Sequence, residues 1–294
     1  MRDVWEDGLA NLMVIGAVVL DRPVWLNGPV SPGARLRGAT LDGALAGRLG
    51  GGAANAGVAL ARAGHGVALA AFVGLDADGD AALAQAQAAG LDTTHVRRRP
   101  GGGMTLILID PAGERVVLGL DAPAITAPHL PPPDGDAAFD GLYVRAPYPG
   151  AGAWAQACRG PVVAHWPAGT FAGPCDVLVA SADDCGAGDL ADPFAAGRAQ
   201  VGERLKWMVM THGAGDVVAY DAAGSIRVAP PPARVADTTG AGDVFAAGLL
   251  EALVAGADIE AALRHACAWG AVAVGLDGSA PLTGDFSAFR PASP

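Results

Sequence analysis

Residues 237–243 read DTTGAGD and stand directly before an apolar stretch, residues 244–254. The two glycines of this segment tolerate positive φ angles and let a ligand approach the backbone closely. The apolar stretch is predicted to be a helix, whose first N–H groups have no partner inside the helix and whose dipole makes that end partly positive. Such a helix start is suited to binding phosphate or another anion.

Asp243 would lie in the first turn of this helix, beside the predicted anion site. A carboxylate in that position can take a proton from a hydroxyl group that attacks a bound phosphate. An ordinary helix that begins at glycine and carries an acid in its first turn would show the same local pattern, since the helix dipole favours it. The segment by itself therefore indicates either a phosphoryl-transfer site or a structural helix start.

The composition limits the class of protein. The 294 residues are 51% hydrophobic and 17% charged, which is typical of a globular chain with ample core and not of a disordered one. The net charge of −11 argues against a nucleic-acid or anionic-membrane partner. Because Lys206 is the one lysine, an anionic ligand would have to be bound by arginines or by backbone N–H groups.

Cysteine spacing and hydropathy further limit the class of protein and its location in the cell. The four cysteines include no C-x-x-C pair, so neither a zinc site nor a disulfide framework is expected. No apolar run reaches the roughly 20 residues that span a bilayer. The first residues are acidic and lack the basic start of a signal peptide, so we expect a cytoplasmic protein without membrane contact.

Two further segments carry polar groups next to predicted elements. Residues 12–20 form an apolar run, predicted to be a strand buried on both faces, and Asp21 follows it. Open α/β sheets bind ligands at the carboxyl ends of their strands, although an Asp there can also be a plain turn residue. Residues 50–61 form a second glycine-rich helix start that contains Asn55, and they follow a polar stretch instead of a strand, which disfavours dinucleotide binding.

The remaining pattern predicts an α/β protein. Apolar runs that predict strands occur at residues 67–73, 104–109, 141–144, 162–164, 177–180 and 207–211. One helical stretch follows a turn at residues 74–79 and ends at residue 89, and others occur around residues 152–158, 244–254 and 259–269. Residues 22–46 are polar, rich in Gly and Pro, and resemble a small β lid. The three arginines at 97–99 are either a solvated loop or a contact to an anionic substrate, because this segment would form the second half of the lid.

These motifs, taken in order, resemble the ribokinase (PfkB) family of carbohydrate kinases. The resemblance rests on DTTGAGD, on G-G-x-x-x-N from Gly50 to Asn55, and on T-x-G from Thr211 to Gly213, and it extends from about residue 13 to 285. It implies a single ribokinase-like domain over residues 1–294, with a mostly parallel sheet flanked by helices on both faces. A small β lid would be formed by approximately residues 22–46 and 96–119.

The resemblance also implies an activity and a set of site residues. The family transfers the γ-phosphoryl group of ATP to a sugar-type hydroxyl, with Asp243 as the base and the N–H groups of the 240–242 backbone as the anion hole. Asp237 matches a position that helps to hold a monovalent cation such as K⁺ in some members. The other implied positions are Gly240, Ala241 and Gly242 in the anion hole, Asp21, Gly51, Gly52 and Asn55 at the acceptor, and Thr211 and Gly213 at the nucleotide.

Several positions depart from the family pattern. The family's N-x-x-E, which organises Mg²⁺ through water, is here a segment from Ser181 to Asp184, and Asp216 replaces the last glycine of the nucleotide loop. Gly52 replaces a lysine of ribokinase, and Arg145 falls near an acidic sugar contact of ribokinase. These changes argue against ribose and favour an acceptor with a negative charge, bound by Arg145 or by the 97–99 cluster.

Three further expectations follow from the resemblance. A nucleoside kinase is an alternative within the enzymes, with Trp25 as a candidate to stack on a base. A non-catalytic member that binds a sugar or nucleotide as a sensor is the alternative outside them, but such a protein would not need Asp243 beside an intact anion hole. Many family members dimerise through the lid, so a homodimer is compatible with the resemblance.

Overall fold

The structure is a computed structural model that describes residues 9–40, 47–120, 129–133, 139–146, 148–168, 171, 173–182, 185 and 191–287. The strands are β1 (Asn11–Ile15), β2 (Val19–Leu26), β3 (Gly38–Ala39), β4 (Arg48–Gly50), β5 (Gly66–Ala70), β6 (Phe72–Gly74), β7 (Arg97–Arg99), β8 (Met104–Ile109), β9 (Arg115–Leu120), β10 (Gly141–Val144), β11 (Val162–His165), β12 (Val177–Ser181), β13 (Trp207–Thr211), β14 (Val217–Tyr220) and β15 (Ser225–Val228). The helices are α1 (Gly52–Arg62), α2 (Ala77–Ala88), α3 (Ala151–Ala157), α4 (Pro193–Val201), α5 (Ala241–Val254) and α6 (Ile259–Val274).

The main sheet has eight strands in the order β15-β14-β13-β12-β11-β10-β1-β5. Its strands pair in parallel from β5 to β13, and the last two, β14 and β15, pair antiparallel. The parallel strands read as short continuous apolar runs because helices cover both faces of the sheet. In β1, Leu12 and Val14 pack on the side of α1, α2, α5 and α6, whereas Met13 and Ile15 pack on the side of α3 and α4. The predicted fold class is confirmed.

The apolar run at residues 12–20 is not one strand, contrary to the prediction. β1 ends at Ile15, the chain turns at Gly16, and Val19 begins β2 in a second sheet. The turn packs closely against the end of β10, since a Cβ on Gly16 would lie 3.0 Å from Cβ of Arg145. Asp21 therefore lies inside β2 and does not follow the carboxyl end of a strand of the main sheet.

The second, small sheet has the order β3-β2-β8-β9, with β4 also paired to β2. The predicted strand at residues 67–73 likewise splits into β5 and β6, and β6 pairs in parallel with β7. The three arginines at 97–99 are thus a strand outside the small sheet and not a loop. Nη1 of Arg98 lies 2.6 Å from the carboxylate of Asp80 in α2, which holds that arginine at the surface.

Helix α5 carries a buried cluster of titratable side chains near its C-terminus. Glu251 is 4% exposed, and its carboxylate lies 2.6 Å from Nε2 of His265 in α6 and 3.4 Å from Nε2 of His65 after α1. Nδ1 of His65 accepts a hydrogen bond of 3.1 Å from the N–H of Ala10, which fixes the ring. Burial opposes the charged form, but the contacts with His265 and His65 outweigh it and lower the pKa of Glu251. The carboxylate thus joins α1, α5 and α6.

Within the described residues, no helix has the length and apolar character needed to cross a bilayer.

We expect Glu251→Ala to lower the free energy of unfolding by about 3 kcal/mol, because two buried imidazoles lose their shared acceptor. Glu251→Gln keeps the shape and one acceptor, and should cost about 1 kcal/mol. Since the folded state lowers the pKa of Glu251, the advantage of wild type over Glu251→Gln is present above about pH 4.3 and is lost as the pH falls through the folded-state pKa. Urea unfolding at pH 6 and at several points below about pH 4 measures the difference, and a difference that stays constant throughout the acid range would contradict the prediction.

Candidate active site

The site lies where the connections of the main sheet diverge. β1 is flanked by β5 on one side and by β10 on the other, and the later strands continue outward from β10. In open α/β sheets the crevice at such a switch point, beyond the carboxyl ends of the strands, is the usual ligand site. Gly16 follows β1 there, and Arg145 follows β10, with its N–H donating to the carbonyl of Ile15 over 2.8 Å.

Helix α5 begins at this crevice. Its N-cap, Gly240, has φ +79°, and a Cβ there would lie 2.5 Å from the carbonyl oxygen of Ser279. Glycine is therefore needed at this position both for the backbone angle and for space. The N–H groups of Asp243 and Val244 donate to the Gly240 carbonyl over 3.0 Å each. This turn places the Asp243 carboxylate, in a residue only 7% exposed, at the start of the helix as the sequence predicted.

Both oxygens of the Asp243 carboxylate have partners from distant parts of the chain. Nδ2 of Asn55 donates to Oδ2 over 2.9 Å, and Nε of Arg145 donates to Oδ1 over 2.6 Å. Asn55 lies in the first turn of α1, whose N-cap is Gly51 with φ +88°. The N-terminal ends of α1 and α5 and the end of β10 thus meet at one carboxylate.

Gly52 makes room for this contact. A Cβ at position 52 would lie 2.4 Å from Cγ of Arg145 and 3.0 Å from Oδ1 of Asp243. Any larger side chain would displace the arginine or the carboxylate. The glycine at position 52 and the arginine at position 145 therefore depend on each other. In the sequence they are two separate departures from the family pattern.

A cavity of about 720 Å³ opens beside the start of α5. The 240–242 backbone, Asp243 and Arg145 form one wall of it. The N–H of Ala241 donates to the carbonyl of Thr238 over 3.3 Å, a long bond that an anionic ligand could replace. The lining also includes three residues predicted at the nucleotide: Ser181, Thr211 and Gly213.

The predicted nucleotide residues lie at consecutive strand ends. Ser181 ends β12 and Thr211 ends β13, and the two are paired in the register of the sheet. Gly213 has φ +58°, which suits the turn that follows β13. The carboxylate of Asp216 lies 3.4 Å from Nη1 of Arg227 in β15, so this departure from the family pattern forms a local ion pair. Asp184 lies outside the described residues.

Asp21 is near the site but is not part of the cavity wall. It is 4% exposed, and its carboxylate accepts a hydrogen bond from Oγ of Ser279. Burial raises the pKa of Asp21, and the carboxylates of Asp243 and Asp237 raise it further, whereas Ser279 and Arg48 partly offset the effect. A contact between Asp21 and an acceptor remains a prediction.

Asp237 is 5% exposed and accepts a hydrogen bond of 2.8 Å from the N–H of Thr239, next to the N-cap of α5. Two arginines that sequence reasoning missed, Arg48 of β4 and Arg115 of β9, form ion pairs with its carboxylate. No pattern in the sequence marks these arginines, because each acts through a contact between distant segments. Among the described residues, no group of three or more His, Cys, Asp or Glu side chains could hold a metal ion.

The fold is a ribokinase-like α/β fold in which helix α5 begins at a glycine beside the cavity. The sequence matches the pfkB family carbohydrate kinase description over residues 36–127 and 177–283, so the chain belongs to this family. The match omits β10 and β11, the region of Arg145. A search of curated proteins found no significant match.

Several solved structures share this fold. A ribokinase from Cryptococcus neoformans var. grubii serotype A in complex with ADP has a TM-score of 0.73 and 21% identity, covering 95% of this chain and 98% of that one. An Arabidopsis thaliana ribokinase complexed with ribose and ATP has a TM-score of 0.75 and 20% identity, covering 96% and 97%. A Methanocaldococcus jannaschii nucleoside kinase has a TM-score of 0.73 and 17% identity, covering 96% and 97%. At these identities the similarity establishes the fold.

Proposed function

We propose that the protein is an ATP-dependent kinase that transfers the γ-phosphoryl group to a hydroxyl of a sugar or sugar acid. The observation that supports it most is the placement of the Asp243 carboxylate in the first turn of α5, on the wall of a cavity of about 720 Å³ that also contains Thr211 and Gly213. A proton acceptor, an anion-binding helix start and a nucleotide-sized space are thereby adjacent. Family membership is consistent with this reaction.

In the proposed reaction, Asp243 takes the proton as the acceptor O–H bond breaks. The freed oxygen forms a bond to the γ-phosphorus, and the bond from that phosphorus to the leaving oxygen of ADP breaks. The N–H groups of Gly240, Ala241 and Gly242 would stabilise the charge on the transferred group, because phosphoryl transfer depends mainly on positioning and electrostatics. Thr211, Gly213 and Ser181 would contact ATP. Mg²⁺ would accompany the nucleotide, with Asp184 as a ligand through water.

The contact between Arg145 and Asp243 bears on the acceptor. Nε of Arg145 lies 2.6 Å from Oδ1, so the acceptor hydroxyl competes with a guanidinium for the base. A carboxylate or phosphate on the acceptor would offer that guanidinium an alternative bidentate partner. The side chain of Arg145 is 38% exposed and lines the cavity, so such a group could reach it. We therefore propose an anionic acceptor, held beside Asn55 and Gly52, with Asp21 and Gly51 supporting the same site.

The two alternatives predict different results. A nucleoside kinase would use Trp25 of β2, which is 37% exposed, to stack on a base. A sensor would bind ATP or a sugar without turnover. ADP release with Mg-ATP across neutral sugars, sugar acids, phosphosugars and nucleosides separates the three. No substrate-dependent ADP from any of them would reject the kinase proposal.

We expect Asp243→Asn to lower kcat about 10²–10⁴-fold, because the amide cannot take the proton. The amide retains the size of the carboxylate, so ATP affinity by calorimetry should change little. Asp258→Asn is the matched control, since Asp258 caps α6 through the N–H of Ala261, far from the predicted chemistry, and asparagine caps equally well. Comparable turnover in Asp243→Asn would remove Asp243 from the mechanism.

We expect Arg145→Met to raise KM for anionic acceptors about 10–100-fold, the size of a lost charged hydrogen bond, and to change KM for neutral sugars by less than about threefold. Steady-state kinetics with a sugar acid and its neutral counterpart measure the difference. Arg98→Met is the comparison variant: because Arg98 pairs with Asp80, we expect it to leave both KM values unchanged, and a selective rise for the anionic acceptor would assign the contact to the 97–99 cluster. Equal effects of Arg145→Met on both acceptors would contradict charge pairing.

We also propose that the small sheet is a lid that pairs with the same sheet of a second copy. β9 is the edge strand of this sheet, and Val116, Val117, Leu118 and Leu120 on it are 41–61% exposed. A long apolar edge strand is prone to pair with another strand unless something covers it. A second copy would cover it and bury these side chains.

If the edge of β9 is the dimer interface, Val117→Lys should convert a dimer to a monomer in light scattering after size-exclusion chromatography. Leu75→Lys is the matched control, because Leu75 is also 61% exposed but lies outside the small sheet. A wild-type protein that is monomeric at about 50 μM, well above the Kd of a stable dimer, would reject the proposal.

A further inference from the structure

The family resemblance suggests a monovalent cation beside Asp237, but the surroundings of this carboxylate do not suit one. Oδ1 faces the N–H of Thr239 at 2.8 Å and Nε of Arg115 at 3.4 Å. Oδ2 faces the N–H of Gly278 at 3.3 Å and Nη2 of Arg48 at 3.5 Å. Each oxygen thus has one backbone donor and one guanidinium. A metal cation would need these same oxygens, and both guanidiniums would repel it.

The two arginines are held at this position by the backbone around Asp237. Nη2 of Arg115 donates to the carbonyl of Ala236 over 3.2 Å, occupying a backbone oxygen that a cation would use. On the other side, a Cβ on Gly278 would lie 3.1 Å from Cζ of Arg48, and Gly278 has φ +97°. The glycine turn therefore leaves the space in which the guanidinium sits. The side chain of Arg115 is 20% exposed and that of Arg48 is 34% exposed, so both are largely packed into the protein.

The charge at this point affects the anion hole. Asp237 binds the N–H of Thr239, the residue before the N-cap Gly240, and so orients the turn that would receive the phosphate. An uncompensated buried carboxylate there would oppose a phosphate group electrostatically. The two guanidiniums beside Asp237 compensate this carboxylate, so that it does not face the turn as an unpaired negative charge.

We infer that Arg48 and Arg115 supply the positive charge beside Asp237, so that this protein works without a bound monovalent metal ion. The part of the inference that concerns turnover rests on the proposed kinase function, whereas the part that concerns cation binding rests on the geometry alone. Arg48 comes from β4 and Arg115 from β9. Both positively charged side chains therefore belong to strands of the small sheet.

The first experiment uses the wild-type protein in KCl and in tetramethylammonium chloride at equal ionic strength. We expect the thermal midpoint to agree within 1 °C and ADP release to agree within about 1.5-fold. Because Tl⁺ is a spectroscopic substitute for K⁺, ²⁰⁵Tl NMR should show no saturable binding. Saturable Tl⁺ binding, or saturable activation by K⁺ of more than threefold, would overturn the inference. Thermal midpoint and Tl⁺ binding do not require turnover, so they decide the question even if the kinase proposal fails.

The second experiment changes the arginines. Arg48→Met and Arg115→Met should each lower ADP release about tenfold in tetramethylammonium chloride, whereas Arg48→Lys should keep at least half of the wild-type rate. The lysine variant distinguishes loss of charge from loss of packing, and circular dichroism verifies folding. Arg37→Met is the control, because Arg37 is an exposed arginine between β2 and β3. Full activity of both methionine variants without K⁺ would contradict the inference.

Discussion

The arrangement of the site depends on a single buried carboxylate. A charged group in this environment is tolerated only when it is paired and hydrogen-bonded. Asp243 meets this requirement through Asn55 and Arg145, which come from α1 and from the end of β10. The pairing fixes two helix starts and a strand end relative to one another. It requires glycine at positions 52 and 240, where a Cβ would collide with these same groups.

How far the sequence predicted this site depends on the range of each interaction. The start of α5 and that of α1 are encoded within a few residues by glycines and a polar group, so both were found, and the family they indicated is confirmed. The break between β1 and β2 was missed, because a continuous apolar run does not show where a chain leaves one sheet for another. Arg145 was noted as an unusual residue, but its contact with Asp243, 98 residues away, is a tertiary event without a local signal.

The charged residues show the same difference between local sequence signals and contacts that only the fold creates. An acidic chain with a single lysine offers few groups other than arginine and backbone N–H to an anionic ligand, and arginines lie at the carboxylates around α5. Guanidinium groups suit this role because they remain charged when packed and bind carboxylates through a planar fork. Composition predicted that arginine or backbone N–H groups would do this work. Which arginines lie near the start of α5 follows only from how the small sheet and β10 meet it.

Asp21 is a residue whose burial is unfavourable for stability and is better explained by the chemistry of the site. Burial, with Asp243 and Asp237 nearby, raises its pKa, so folding favours its protonated form. Because the folded state raises this pKa, the free energy of unfolding falls as the pH rises from the unfolded-state pKa of Asp21 to its folded-state pKa. At higher pH the ionised carboxylate opposes folding. A buried carboxylate that is unfavourable for the fold, yet lies close enough to Asp243 and Asp237 to feel their charge, is better explained by ligand recognition than by packing. The unfavourable burial of the Asp21 carboxylate therefore supports a functional site near the start of α5.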